Sequence, residues 1–191
     1  MSPFIETIRI EAGQISNLPY HNLRMNATRR AFFGTPPALD LADYIIPATC
    51  QVRTKCRVEY AETILSVTYA PYHRRPVHSL RLVEASALDY RFKSTDREKL
   101  NVLFNLRGEE DDILMVRDGL LTDTSICNIA LWKDEEWLTP RYPLLEGTMR
   151  ACLLASGQIR MADIRPADLL PRARIRLFNA LIDFGELEIV I

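Results

Sequence analysis

The sequence has little of what would fix a metal ion or a strongly charged partner. Its 191 residues include only 3 histidines and 4 cysteines. Cys50, Cys56, Cys127 and Cys152 lack the paired spacing of a zinc site, and His21, His73 and His78 are not spaced as a ligand set. The cysteines therefore read as buried, reduced residues of a cytoplasmic protein, the histidines read as surface or loop residues, and no metal is expected. A formal net charge of −1 gives no electrostatic footprint for nucleic acid or an anionic membrane. No apolar run approaches the roughly 20 residues needed to span a bilayer. The first residues lack a basic stretch followed by an apolar core, which argues against a secretory signal. Internal repeats and low-complexity tracts are also missing. What remains is a globular composition, 48% hydrophobic and 26% charged, long enough for a real core in one large domain or two small ones.

Local patterns suggest an α+β chain. Residues 4–10 alternate as a half-buried strand does, Gly13 marks a turn, and residues 15–18 offer a short return strand. Residues 20–33 carry Leu23, Ala27, Arg30 and Ala31 near helical spacing, and Gly34 with Pro36 and Pro37 ends the helix. Arg24, Arg29 and Arg30 on this helix read either as solvated cations or as a set of which one binds an anion. Residues 35–50 form a proline-punctuated connection. Alternation over 56–60, 64–69 and 77–83 then predicts further strands of the same antiparallel sheet. This groups residues 1–87 as a first α+β domain.

Residues 88–191 read as a second domain. A cap-like Ser94-Thr95-Asp96 cluster precedes a predicted helix over 97–105, and residues 113–116 form a short buried strand. Residues 128–132 and 136–139 predict a hairpin, and 143–154 predict a turn opening a helix. A strand near 163–165, a turn or short helix over 167–170 and a last strand over 187–191 complete the pattern.

Two stretches concentrate chemistry. Tyr90-Arg-Phe-Lys-Ser-Thr-Asp-Arg97 places one primary amine, Lys93, between a strand-like segment and a helix. A desolvated amine there can form a Schiff base. Gly119-Leu-Leu-Thr-Asp-Thr-Ser-Ile-Cys-Asn128 places the carboxylate of Asp123 in a Thr/Ser-rich turn, where it can partner a pyridinium nitrogen. Gly147 and Thr148 open a helix whose first N–H groups and positive dipole end suit a phosphate.

Taken in order, these motifs resemble the class IV pyridoxal-phosphate aminotransferases of the branched-chain and D-amino-acid type, whose fold the aminodeoxychorismate lyases share. Tyr20-His-Asn-Leu-Arg24 resembles a His-x-x-Arg helix, so Arg24 is expected to hold the cofactor phosphate. Phe92-Lys-Ser-Thr-Asp-Arg97 resembles the Schiff-base motif Lys-x-x-Asn-Tyr/Arg, with Asp96 in place of asparagine and Arg97 matching the lyase-like form. Thr122-Asp-Thr-Ser-Ile-Cys-Asn128-Ile-Ala is similar to Thr-Glu-Gly-Ser-x-x-Asn-Ile-Phe, putting Asp123 at the ring-nitrogen position. Leu144-Leu-Glu-Gly-Thr-Met-Arg150 is similar to a Leu-Pro-Gly-Ile-Thr-Arg phosphate turn, with Thr148 and Met149 as backbone donors. Asn179 matches a late phosphate contact.

The resemblance implies a two-domain D-amino-acid aminotransferase-like fold, a small α/β sandwich followed by a larger pseudo-barrel-type β/α domain, with pyridoxal 5′-phosphate between them. It also implies catalysis by Lys93 on a small amino substrate, either transamination or aminodeoxychorismate cleavage, in a homodimer. Arg57 and Arg97 are candidates for the substrate carboxylate. Three departures stand out. Asp123 is one methylene shorter than glutamate, Met149 lacks a threonine hydroxyl, and the chain is short for the family. The alternatives are a non-catalytic cofactor binder and a plain α+β domain.

Overall fold

A computed structural model describes residues 2–191. They divide into two compact units, one running to His73 and taking back Phe92–Asp96, the other comprising Arg74–Arg91 and Arg97–Ile191.

The first unit is a four-stranded antiparallel sheet with one helix. Strands β1 (Phe4–Glu11), β2 (Gln14–Ile15), β3 (Thr54–Tyr60) and β4 (Ile64–Pro71) lie in the order β2-β1-β3-β4. The β1–β3 ladder runs from Phe4 opposite Tyr60 to Ile10 opposite Thr54. Period-two geometry sends Phe4, Ile8 and Ile10 of β1, and Cys56, Val58 and Tyr60 of β3, into one core with Met25 of α1 (Leu18–Phe33). Fully burying a side chain of this size contributes about 1.5–3 kcal/mol. The return strand expected over 15–18 stops at Ile15 because the helix already begins at Leu18, with Pro19 pre-set for its first turn. Gly34 closes the helix at φ +78°, a backbone conformation that disfavours any side chain.

Phe92–Asp96 joins this unit beside β1 through an isolated antiparallel bridge between Phe4 and Ser94. The Ile5 N–H donates to the Lys93 carbonyl at 2.8 Å, and the Thr95 N–H donates to the Pro3 carbonyl at 2.9 Å. Phe92 packs edge-on against Phe32, with ring centroids 4.8 Å apart. Main-chain pairing and an aromatic anchor therefore fix the backbone that carries Lys93.

The second unit holds two sheets. Strands β5 (Leu80–Glu84), β6 (Asp112–Arg117) and β7 (Leu120–Thr124) form one, in that order. Strands β8 (Asn128–Lys133), β9 (Glu136–Pro140), β10 (Arg160–Ala162), β11 (Arg174–Phe178) and β12 (Glu188–Val190) form the other, ordered β10-β9-β8-β11-β12. Helix α2 (Glu98–Phe104) lies on the connection from β5 to β6, and α3 (Thr148–Ala155) joins β9 to β10. Both of these strand pairs are parallel, as crossovers of that kind require. Ile113, Leu114 and Met115 of β6 are all buried, so this strand is covered on both faces.

Two expectations change here. Residues 77–83 do not extend the first sheet; Leu80–Glu84 instead pairs with Asp112–Val116 through the crossover, carrying 74–91 into the second unit rather than ending the first at residue 87. The N-cap position of α2 does not fall in the Ser94–Asp96 cluster. The N-cap is Arg97, without a side-chain cap bond, while Ser94 Oγ accepts from the Asp96 N–H. Among the described residues, no helix is long and apolar enough to cross a membrane.

Candidate functional site

Lys93 shares its unit with a buried ionic cluster. Glu6 occupies the core phase of β1, a position the strand period assigns to an apolar side chain. It is fully buried, as is His21 of α1. Arg24, one helical turn beyond His21, donates from Nε to Glu6 Oε1 at 2.9 Å and from Nη2 to Glu6 Oε2 at 2.5 Å. His21 Nδ1 lies 2.6 Å from the same Oε2. Burial alone would raise the Glu6 carboxyl, but Arg24 and His21 outweigh it and hold the group down at about 2. Burial lowers His21 below its ordinary value, Glu6 opposes this, and the positive charges of Arg24 and Lys93 add to the lowering. His21 is thus a core residue and not the surface or loop histidine expected; His73 and His78 are exposed. Of the three helix arginines, Arg29 is also buried. It donates to the carbonyls of Glu62 and Pro37 and to Asn26 Oδ1, a scaffold role in place of the solvated one. Arg30 is exposed.

Asp123 anchors a second constellation, wholly inside the other unit. It lies within strand β7, one residue before its end, and not in the turn where the sequence suggested it. The turn follows at Ser125–Cys127, tied by the Thr124 N–H donating to the Cys127 carbonyl. Asp123 Oδ1 accepts from the Asn128 amide at 2.9 Å, and Oδ2 accepts from the Leu145 N–H at 2.8 Å. The same Asn128 amide donates to the Leu145 carbonyl at 2.9 Å, locking carboxylate and turn together. Gly147 caps α3 against this amide so closely that an added Cβ would lie 2.0 Å from Asn128 Oδ1. Burial pushes the Asp123 carboxyl up to about 6, against the lowering effect of Leu145, Asn128 and Arg150. The surroundings supply less positive charge than an ionised carboxylate needs, a shortfall that a protonated ring nitrogen would make good. Thr148 and Met149 form the buried first turn of α3. A helix start of this kind offers N–H donors to an anion. Arg150 follows, buried, with Nη2 on the Pro140 carbonyl.

The remaining candidates are engaged in different ways. Arg57 pairs with Glu59 two residues along β3, at 2.7 Å from Nη2. Arg97 donates from Nη2 to the Ser125 carbonyl at 2.9 Å and sits over the Tyr90 ring, which places it at the end of β7. Asn179 accepts from the Leu181 N–H and donates to the Ile126 carbonyl, bracing the turn that follows Asp123. Glu6 was missed from the sequence, as was the close approach of Gly147 to Asn128. A carboxylate in the apolar phase of a strand was the signal available for Glu6.

Comparison with known proteins gives this chain a family. The model of the amino-transferase class IV family matches residues 4–186. The chain belongs to that family. Its members are pyridoxal-phosphate enzymes of aminotransferase or aminodeoxychorismate lyase type. A Haemophilus influenzae protein of uncharacterised role is 32% identical over 95% of this chain and 98% of its own length. The crystal structure of a candidate 4-amino-4-deoxychorismate lyase from Haemophilus somnus is 34% identical, covers 95% of this chain and 97% of its own, and superposes with a TM-score of 0.87. The PLP-bound form of a hypothetical aminotransferase from Mycobacterium tuberculosis shares the fold at 17% identity and a TM-score of 0.77, over 97% of this chain and 80% of its own.

Proposed function

We propose that this class IV chain binds pyridoxal 5′-phosphate through Lys93 and acts on a small amino-substituted carboxylate, with cleavage of the aminodeoxychorismate type as the preferred reaction. The carrying observation is Lys93 itself. Its backbone is fixed beside Ile5, in the unit that also carries the buried Glu6–His21–Arg24 cluster. Resemblance over nearly the whole chain to a candidate lyase of 34% identity favours the lyase reaction, as does Arg97 in the lyase-like form of the motif.

Arg24 and the first N–H groups of α3, at Thr148 and Met149, bind the phosphate. Asp123, oriented by Asn128, would hold a proton on the ring nitrogen. When bound, the cofactor supplies an electron sink for the charge that develops at the substrate Cα. Lys93 would hold the cofactor aldehyde, and its amine would move the proton at the substrate Cα as general base and acid. Arg97 takes the substrate carboxylate in this reading, since the Arg57 guanidinium is already neutralised by Glu59. Asn179 supports the turn after Asp123.

Product analysis tests the reaction. Incubation with aminodeoxychorismate is expected to release pyruvate without any ketoacid acceptor, and Lys93→Ala is expected to abolish the release. Turnover only with an added ketoacid would assign transamination, and a loaded protein inert toward every amino compound would leave cofactor binding alone.

A further inference from the structure

We propose that Glu6, braced by His21, is a positioning residue that sets the pose of Arg24 for the cofactor phosphate. The inference rests on the functional reading above and adds a role for two groups that this reading leaves unused. Packing does not call for a carboxylate at this point of β1. Phe4, Ile8 and Ile10 fill the same face, and an apolar side chain in place of a buried ion pair is often neutral or stabilising. Geometry does account for it. A guanidinium is a planar fork of five donors. Glu6 takes Nε and Nη2 together, one on each carboxylate oxygen, which fixes the plane and the last torsions of Arg24. His21, one turn earlier on the same helix, is a second partner of Glu6 Oε2, so the carboxylate is held by more than the arginine it orients. Both braces are fully buried, and water cannot replace either one. Arg24 therefore loses its rotamer freedom when the chain folds and not when phosphate arrives, which favours tight binding.

The test compares pyridoxal 5′-phosphate with pyridoxal, which lacks the phosphate. Apoprotein is titrated with each and followed by visible absorbance, for wild type, Glu6→Gln and Glu6→Asp. Selectivity for the phosphorylated form is expected to fall by about tenfold or more in Glu6→Gln while pyridoxal affinity stays within about twofold, because a bidentate charged clamp has been removed. Glu6→Asp keeps the charge but falls one methylene short of spanning Arg24 and His21, so it shows a loss in the same direction; it carries the test alone if Glu6→Gln does not fold. In an Arg24→Ala background, Glu6→Gln has no further effect on selectivity. Unchanged or increased selectivity in the Glu6 variants overturns the proposal, since removing a negative charge without moving Arg24 would strengthen phosphate binding. A further loss in the Arg24→Ala background overturns it too, by showing a general structural role. A wild-type protein that binds neither compound sinks the functional reading and this inference with it, a result distinct from selectivity retained by the variants.

Discussion

Two buried carboxylates respond to pH in opposite senses. Glu6 titrates near 2 in the fold against an ordinary 4.5, so its stabilisation is present above 4.5 and is lost as pH falls toward 2. His21 is lowered from 6.5, so the fold loses stability as pH drops below that value and the unfolded chain takes up its proton. Asp123 is raised from 3.8 to about 6, which means the folded state holds the extra proton and stability falls as pH rises between those values. Asp123 therefore offsets part of the acid destabilisation due to His21. In urea unfolding of the apoprotein, Asp123→Asn is expected to lose stability more steeply than wild type between pH 6 and 4. Parallel curves would refute the raised carboxyl. Lys93, Asp123 and Asn128 could be singled out as candidates from sequence because the spacing of their motifs survives in one dimension, and the structure brings Asp123 and Asn128 together. Glu6 and His21 were not singled out, because their pairing joins residues 15 apart on a strand and a helix and shows only when the two are packed.

Among the elements, the turn from Leu144 into α3 has the least tolerance. Asn128 reaches across from β8 to hold the Leu145 carbonyl and the Asp123 carboxylate together, and Gly147 leaves room for its amide. Gly147→Ala must displace either Asn128 or the start of α3. The expected cost is about 1–3 kcal/mol of stability, the usual range for forcing extra atoms into a packed site. Weaker uptake of pyridoxal 5′-phosphate should accompany it, and urea unfolding with a cofactor titration measures both. Full stability and full affinity would mean the turn absorbs the methyl, and Asn128 would then be less of a lock than its contacts suggest. Strand positions themselves were largely readable from alternation. Strand partners were not: Leu80–Glu84 alternates as well as any strand of the first sheet, yet pairs in parallel with β6, because nothing in a local pattern specifies a partner across the α2 crossover. Asp123 illustrates the same limit, since the threonines around it suggested a turn while Thr122 and Thr124 are buried strand residues.

For the whole molecule, the family assignment covers residues 4–186, and the Haemophilus influenzae and Haemophilus somnus relatives align with this chain over almost their full lengths. Short length is thus a property this chain shares with them, and it does not by itself set the chain apart as a degenerate relic. The central claim is that Lys93 is the amine that takes the cofactor. Loading the protein with pyridoxal 5′-phosphate, reducing it with borohydride and mapping the adduct by peptide mass spectrometry tests this claim most directly. The account predicts one reduced pyridoxyl adduct, on the peptide containing Lys93, together with loss of the visible band, and neither in Lys93→Ala. An adduct on Lys55, Lys99 or Lys133, or no adduct on a protein that remains folded, would contradict it.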